Sequence, residues 1–415
     1  MNAGAFASAI GEAVGRFGRR FVRRGDLRRV LVDARTAVNF TMVAPIVRGL
    51  APDPRVRFYF TASEEPWRMR QIYREATDVR LIDPARAALM RFDAYLASDF
   101  TWQWLARGTC RIQMFHGVAG KYGFDAPQGS MRAWHRLFFI NERRLRSFKA
   151  CGAIDPDSPA VRLVGMPKTD ALVNGAWSRG RVLESLSLDP ARPTVLYAPT
   201  WSPASSLNTL GIDLIQRLLE SGLNVIVKLH DRSRDRRPRY SGGVDWVARI
   251  EPLLSGRPGA LATGHDISPY LAAADVMVTD HSSAGFEFLL RDRPLVRIHR
   301  PELIALANIH REYVELLASA SQSVHSVDEC VRAVERGLEM PEQLGASRRA
   351  VARELFYGAG TATLRAVQNL YEAIGLDPAA HVVRALEHPT LFQPAVPTLP
   401  STTAVIPPHE AECRP

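Results

Sequence analysis

No apolar run in this 415-residue chain is long enough to cross a bilayer. The longest, such as 275–279 and 294–298, are strand-sized, against the roughly twenty residues a spanning helix needs. Cysteine is scarce as well: Cys110, Cys151, Cys330 and Cys413 lie far apart, with neither paired nor metal-ligand spacing. That excludes a disulfide framework and predicts free thiols in a reducing cytoplasm. Absent too are a Gly-x-x-x-x-Gly-Lys phosphate loop, a Gly-x-Gly-x-x-Gly after the first strand and a His-Glu-x-x-His metal motif. Asp155-Pro156-Asp157 has magnesium-like spacing but reads as a turn because of its proline. No metal and no cofactor are expected.

What is present is globular in character, with 46% hydrophobic and 23% charged residues, and the length suggests two domains. A net charge of +10 points to an anionic partner. Phe6, Ile10, Val14, Phe17 and Phe21 share one helical face, and Arg16, Arg19, Arg20, Arg23, Arg24, Arg28 and Arg29 flank it. An amphipathic basic helix over residues 1–28 is expected, suited either to an anionic membrane surface or to packing as a leader.

From residue 29 the pattern alternates. Strands are expected over 30–33, 56–61, 79–83, 94–98, 111–115, 137–140 and 161–164, with helices over 38–50 and 66–75. A second series has strands over 194–198, 224–229, 260–263, 276–279 and 295–299, and helices near 212–221, 268–274 and 283–291. The pattern predicts an α/β fold of two doubly wound parallel-sheet, Rossmann-like domains, 29–170 and 193–345, with a linker over 171–192 and a cleft between the halves. Helix is expected again over 327–340 and 346–375. The Pro-rich stretch 386–415 is expected to be a disordered tail.

Within the second series, an apolar strand stops at Thr279-Asp280, Ser282 and Ser283 follow, and an apolar-periodic helix resumes. Unpaired N–H groups and hydroxyls at such a helix start favour a phosphate, although Asp280, Ser282 and Ser283 also suit a plain cap. Glu287 lies one turn further on, in reach of ribose hydroxyls. The strand 224–229 runs into Lys228 and His230, whose alternation puts both on one face at its carboxyl end. Thr200 and Trp201, after Pro199, offer a phosphate donor and a flat ring. The run Arg232, Arg234, Arg236, Arg237 and Arg239 reads as a solvated face or as a guide for a polyanionic acceptor. In the first series, His116-Gly117 follows a strand, where an imidazole faces the ligand crevice of an open sheet and can act as a general base. Lys121 and Gly123 add a cation and a pliant backbone nearby.

Taken in order, His116-Gly117 with Lys121, Gly165-Met166-Pro167-Lys168-Thr169-Asp170, Tyr197-Ala198-Pro199-Thr200-Trp201, Lys228-Leu229-His230 and Thr279-Asp280-His281-Ser282-Ser283 resemble the CDP-glycerol glycerophosphotransferases of teichoic-acid synthesis. The resemblance spans roughly residues 110 to 300. It implies a GT-B-like fold, an N-terminal acceptor-side domain, a C-terminal nucleotide-donor domain, and a cytoplasmic enzyme peripheral to the inner membrane face. It implies His116 and His230 as catalytic, Thr200, Asp280, Ser282 and Ser283 around the donor phosphates and Glu287 at the nucleotide; Gly117, Lys121, Trp201 and Lys228 are expected to bind the donor and its phosphates from their own chemistry and placement. A CDP-activated polyol donor and a polyol-phosphate or glycan acceptor, lipid-linked or free, follow, with an anionic membrane surface as partner and no nucleic acid. The chain departs from the family at Asp231, where a proline is usual, at His281, where a tyrosine is usual, and at Val118-Ala119-Gly120. A GT-B glycosyltransferase using a nucleotide sugar, a UDP-GlcNAc 2-epimerase-like isomerase lacking its Arg-Pro-Glu turn, and a noncatalytic anion-binding protein are the alternatives.

Overall fold

The structure, a computed structural model, describes residues 27–76, 79–118, 129–389 and 392. The amphipathic segment 1–26, the loop with Lys121 and Gly123, and the tail beyond 389 apart from Phe392 lie outside them.

Two compact units divide the chain: 27–118, 129–174 and 355–392 in the first, 175–354 in the second. The first is built on a six-stranded parallel sheet in the order β2-β1-β3-β4-β5-β6: β1 Arg28–Asp33, β2 Val56–Thr61, β3 Ala94–Ser98, β4 Cys110–Met114, β5 Arg136–Phe139 and β6 Val161–Leu163. Its central strands carry continuous apolar runs such as Val30-Leu31-Val32 and Tyr95-Leu96-Ala97, all buried, as a sheet covered on both faces requires. Helix Ala37–Leu50 starts where Thr36 accepts the Asn39 N–H and buries Phe40, Met42, Val43 and Ile46.

The second unit repeats the plan. Its parallel sheet, in the order β12-β11-β10-β7-β8-β9, comprises β7 Thr194–Tyr197, β8 Asn224–Val227, β9 Gly259–Leu261, β10 Val276–Thr279, β11 Leu295–Ile298 and β12 Gln322–Val324. Helices Gly211–Glu220 and Val327–Glu339 cover one face, closing a core that includes Val195, Leu214, Leu218, Val225, Val278 and Val334. At about 1.5–3 kcal/mol for each large aliphatic side chain removed from water, these faces hold the layers together.

The expected strands are present with one exception. Residues 79–83 form a single bridge, Leu81 to Phe60, beyond the β2 edge and no strand of their own. Leu81 is exposed, so no burial rewards further pairing. The 66–75 helix is a short 3₁₀ turn, Pro66–Arg68, followed by one α-helical turn, Met69–Ile72. The helix expected over 346–375 is two, Gly345–Leu355 and Ala362–Ile374. Gly358 and Gly360 between them take positive φ of 50° and 89°, conformations that end a right-handed helix. Residues 386 and 387, expected in the tail, close the helix Ala380–Glu387. Much of the expected linker is helix Arg179–Ser185 of the second unit, held by Arg179 Nη2 at 2.9 Å from Asp275 Oδ2 and by buried Val182 and Leu183.

Candidate active site

In the first unit β3 and β4 are neighbours with Ser98 opposite Met114, so the residues just beyond both strands leave the same end of the sheet. Asp99 turns out of β3 with a left-handed φ of 67°, its N–H donating to the Met114 carbonyl at 2.7 Å. Its Oδ1 lies 2.5 Å from His116 Nδ1, and its Oδ2 accepts from Asn39 Nδ2 at 2.9 Å. Burial pushes the Asp99 carboxyl up, but the charge and hydrogen bond of His116, the Asn39 amide and the charge of Arg144 outweigh it and hold the group below the usual carboxylate range. An ionised carboxylate only accepts, so Nδ1 carries a proton, and in the neutral form of the ring Nε2 is the nitrogen with the lone pair. On the other side of His116, buried Arg144 donates Nη1–H to the Gly117 carbonyl at 2.8 Å and lies 4.1 Å over the Phe115 ring. Asp99 holds the imidazole by Nδ1, Arg144 fixes the backbone and ring on either side of it in sequence, and the His116 side chain is 42% exposed. The geometry is that of a base held ready.

In the second unit the strand order turns around between β7 and β10, the switch point at which open α/β sheets bind ligands. The loops after both strands meet there. Asp280 is fully buried and accepts from Thr200 N–H at 2.8 Å, Ser206 N–H at 3.0 Å and Ser206 O–H at 2.9 Å. Its carboxylate ties the two loops together and is turned to those donors, not to a ligand phosphate. Ser282 accepts the Ala284 N–H at 3.3 Å and caps helix Ser283–Phe288, on which Glu287 is buried. Thr200 is buried beside Asp280, and Trp201 is half-buried next to it.

The β8 strand ends at Val227, one residue before the expected pair. Lys228 is buried and its ammonium donates to the Leu229 carbonyl at 2.9 Å. His230 heads the 3₁₀ turn Asp231–Arg234 and its Nδ1 accepts the Arg232 N–H at 3.1 Å. With Nδ1 used as an acceptor, the ring proton is on Nε2. Trp201 lies 6.2 Å from the His230 ring, edge-on to Tyr240 at 5.6 Å, with the Arg232 guanidinium 4.4 Å over it. Asp231 pairs with His265 Nδ1 at 2.9 Å. Burial opposes its charge, but the hydrogen bond and charge of His265, followed by Lys228 and His230, hold the carboxyl far below its usual range. The arginine run is largely engaged at home: Arg234 donates to the Ala262 carbonyl at 2.8 Å, Arg236 lies 3.7 Å from Asp245, and Arg237 pairs with Asp235.

Each unit thus gathers its own share of the predicted residues: His116 and Gly117 in one, Thr200, Trp201, Lys228, His230, Asp280, Ser282, Ser283 and Glu287 in the other. Sequence reasoning missed Asp99, Asn39, Arg144 and His265. Asp99 had a signal, since like His116 it stands at the carboxyl end of an apolar strand; the others are set by tertiary placement.

Two parallel doubly wound units, one presenting an oriented imidazole and the other a serine-capped turn at its switch point, define a GT-B-like fold class. The sequence matches the family described as CDP-glycerol:poly(glycerophosphate) glycerophosphotransferase over residues 32–372, and the chain belongs to that family of enzymes. No functionally curated protein matches it in sequence. Among solved structures it is similar to a histidine-to-alanine variant of the wall teichoic acid polymerase TagF, with 14% identity, a TM-score of 0.65, and coverage of 90% of this chain and 99% of that one. A TagF variant soaked with CDPG gives 13% identity, a TM-score of 0.62, and coverage of 90% and 98%. The UDP-GlcNAc 2-epimerase of Methanocaldococcus jannaschii gives 13% identity, a TM-score of 0.52, and coverage of 83% and 99%. At these identities the likeness is one of fold.

Proposed function

We propose that the chain transfers glycerol phosphate from CDP-glycerol to a hydroxyl of a polyol-phosphate or glycan acceptor, with His116 as general base. Family membership gives the donor class, and the His116–Asp99 pair is the observation that carries the mechanism. Nε2 of His116 takes the acceptor hydroxyl proton as the acceptor oxygen bonds to the β-phosphorus of the donor. The bond from that phosphorus to the bridging oxygen breaks, and CMP leaves with the electron pair. His230 plays the complementary part: its Nε2–H donates to a phosphate oxygen, with Ser282, Ser283, Thr200 and Lys228 sharing the diphosphate charge. Glu287 and Trp201 are assigned to the nucleoside, and Gly117 and Lys121 to the donor phosphates. The basic character of the chain suits a membrane-held anionic acceptor on the cytoplasmic face; among the described residues no helix is long and apolar enough to cross a membrane.

The experiment is CMP release from CDP-glycerol by the full chain. His116→Ala and His230→Ala proteins with wild-type melting curves are expected to lose turnover by about a hundredfold or more. Full activity in either variant removes that histidine from the mechanism.

A further inference from the structure

Arg297 lies in β11 opposite Ser323 of β12, and it is 96% buried, with 4% of its surface exposed. Among the described residues no carboxylate pairs with it. Its Nη2 donates to Ser323 Oγ at 2.6 Å, its Nη1 lies 3.2 Å from His299 Nδ1, and its Nε is buried without an acceptor. Burial alone pushes its pKa down, and no anionic neighbour opposes that. A buried guanidinium stays charged, and a buried charge without a counter-ion is costly.

The partners it does have are arranged to answer that charge from outside. Arg297 is a donor only, so His299 must accept through Nδ1 and carry its proton on Nε2. Ser323 spends an oxygen lone pair on Nη2 and keeps its O–H to give. The His325 ring stands edge-on to His299 at 5.3 Å, and Ser323, in the middle of β12, and His325, just beyond its end, are both exposed. Burial, then the charges of Arg297 and His325, push the His299 imidazole toward its neutral form, against a lesser pull from Glu302. The nearby carboxylates are occupied: Glu302 lies 3.3 Å from Arg300 Nη2, and Glu329 takes the His325 backbone N–H at 2.8 Å. What faces solvent is a set of donors polarised by one buried positive charge.

We propose that Ser323, His299 and His325, backed by Arg297, form a binding site for a phosphate-class oxyanion at the carboxyl ends of β11 and β12. The oxyanion takes the Ser323 O–H, the His299 Nε2–H and a His325 ring N–H, and supplies the counter-charge Arg297 lacks. Arg300, next in sequence to His299, donates to the Ala204 carbonyl at 3.4 Å in the loop after β7, so an occupied site has a route to the loop that Asp280 fixes. The site stands on its own residues and does not depend on the donor reading.

Isothermal titration of the full chain with inorganic phosphate tests it, with dimethyl phosphate as a second probe. Wild-type protein is expected to bind phosphate, and Arg297→Met and His325→Ala each to weaken it by about tenfold or more, the loss of one charge-assisted contact. Arg146→Ala, which removes an exposed cation of the first unit, is expected to leave it unchanged. The exposed His325→Ala carries the test if Arg297→Met fails to fold. Preference for the inorganic dianion assigns the site to free phosphate or a monoester, and equal binding of the diester assigns it to a polymer phosphodiester. No phosphate binding by the wild type, equal binding in both site variants, or loss in Arg146→Ala overturns the proposal.

Discussion

A carboxylate that only accepts stands against Nδ1 of His116, whereas a backbone N–H that only donates stands against Nδ1 of His230. The same side chain type is therefore offered as a lone pair in one unit and as an N–H in the other, the division of labour that the proposed phosphoryl transfer calls for. Asp99→Asn tests this at the residue scale. The amide can present an N–H to Nδ1, which moves the ring proton to Nε2 and removes the base. Turnover is expected to fall by about a hundredfold or more, with KM for CDP-glycerol nearly unchanged and unfolding still cooperative. A drop in donor affinity with intact turnover would instead place Asp99 on the donor side. The sign with pH follows from the lowered Asp99 carboxyl. Its stabilising contribution is fully present above the ordinary carboxylate pKa and is lost as pH falls through the depressed one, so acid unfolding of the variant should lack that increment.

Gly165-Met166-Pro167-Lys168-Thr169-Asp170, the family-like stretch with no place in the chemistry, acts at the scale of elements. Asp170 accepts from Ala362 N–H at 3.2 Å and Thr363 N–H at 2.6 Å, so it caps a helix nearly two hundred residues later in the chain, within the same unit. Gly165, with φ of 92°, has the Tyr357 carbonyl oxygen pressed against the place where a Cβ would stand. Gly165→Ala therefore meets both a left-handed backbone and a fixed oxygen. It is expected to destabilise the first unit by about 2 kcal/mol or more, and Asp170→Ala by about 1–2 kcal/mol, both read from urea unfolding of that unit. The strands, the serine turn and His116 were legible because buried parallel strands are apolar runs and their carboxyl ends carry the ligands. The Asp170 cap, the Arg144 clamp and the inward turn of Asp280 were not, since each depends on partners distant in sequence. The break at Gly358 and Gly360 was legible in principle, but apolar periodicity on both sides masked it.

At the scale of the whole molecule, chain order and compact units do not coincide. The first unit takes residues up to 174 and then 355–392, while the second is continuous from 175 to 354. Helix Ala362–Ile374 buries Leu364, Val367, Leu370 and Tyr371 in the first unit, and Tyr371 O–H donates to Asp53 at 2.8 Å. The same Asp53 is paired with Arg55, which holds its carboxyl down at about 2 against the cost of burial. Without the returning segment, the apolar face of helix Ala37–Leu50 that packs on it is left to water. A protein cut to residues 27–174 is thus expected to melt without cooperativity, whereas 175–354 retains its sheet, the helices Gly211–Glu220 and Val327–Glu339 that cover it, and Thr200, Trp201, Lys228, His230, Ser282, Ser283 and Glu287. That fragment should fold alone, and CMP should raise its Tm, because a ligand stabilises the state that binds it. A cooperative melt with no response to CMP would show that the cytidine nucleotide needs residues of the first unit. The donor half of the chemistry would then belong to both units jointly.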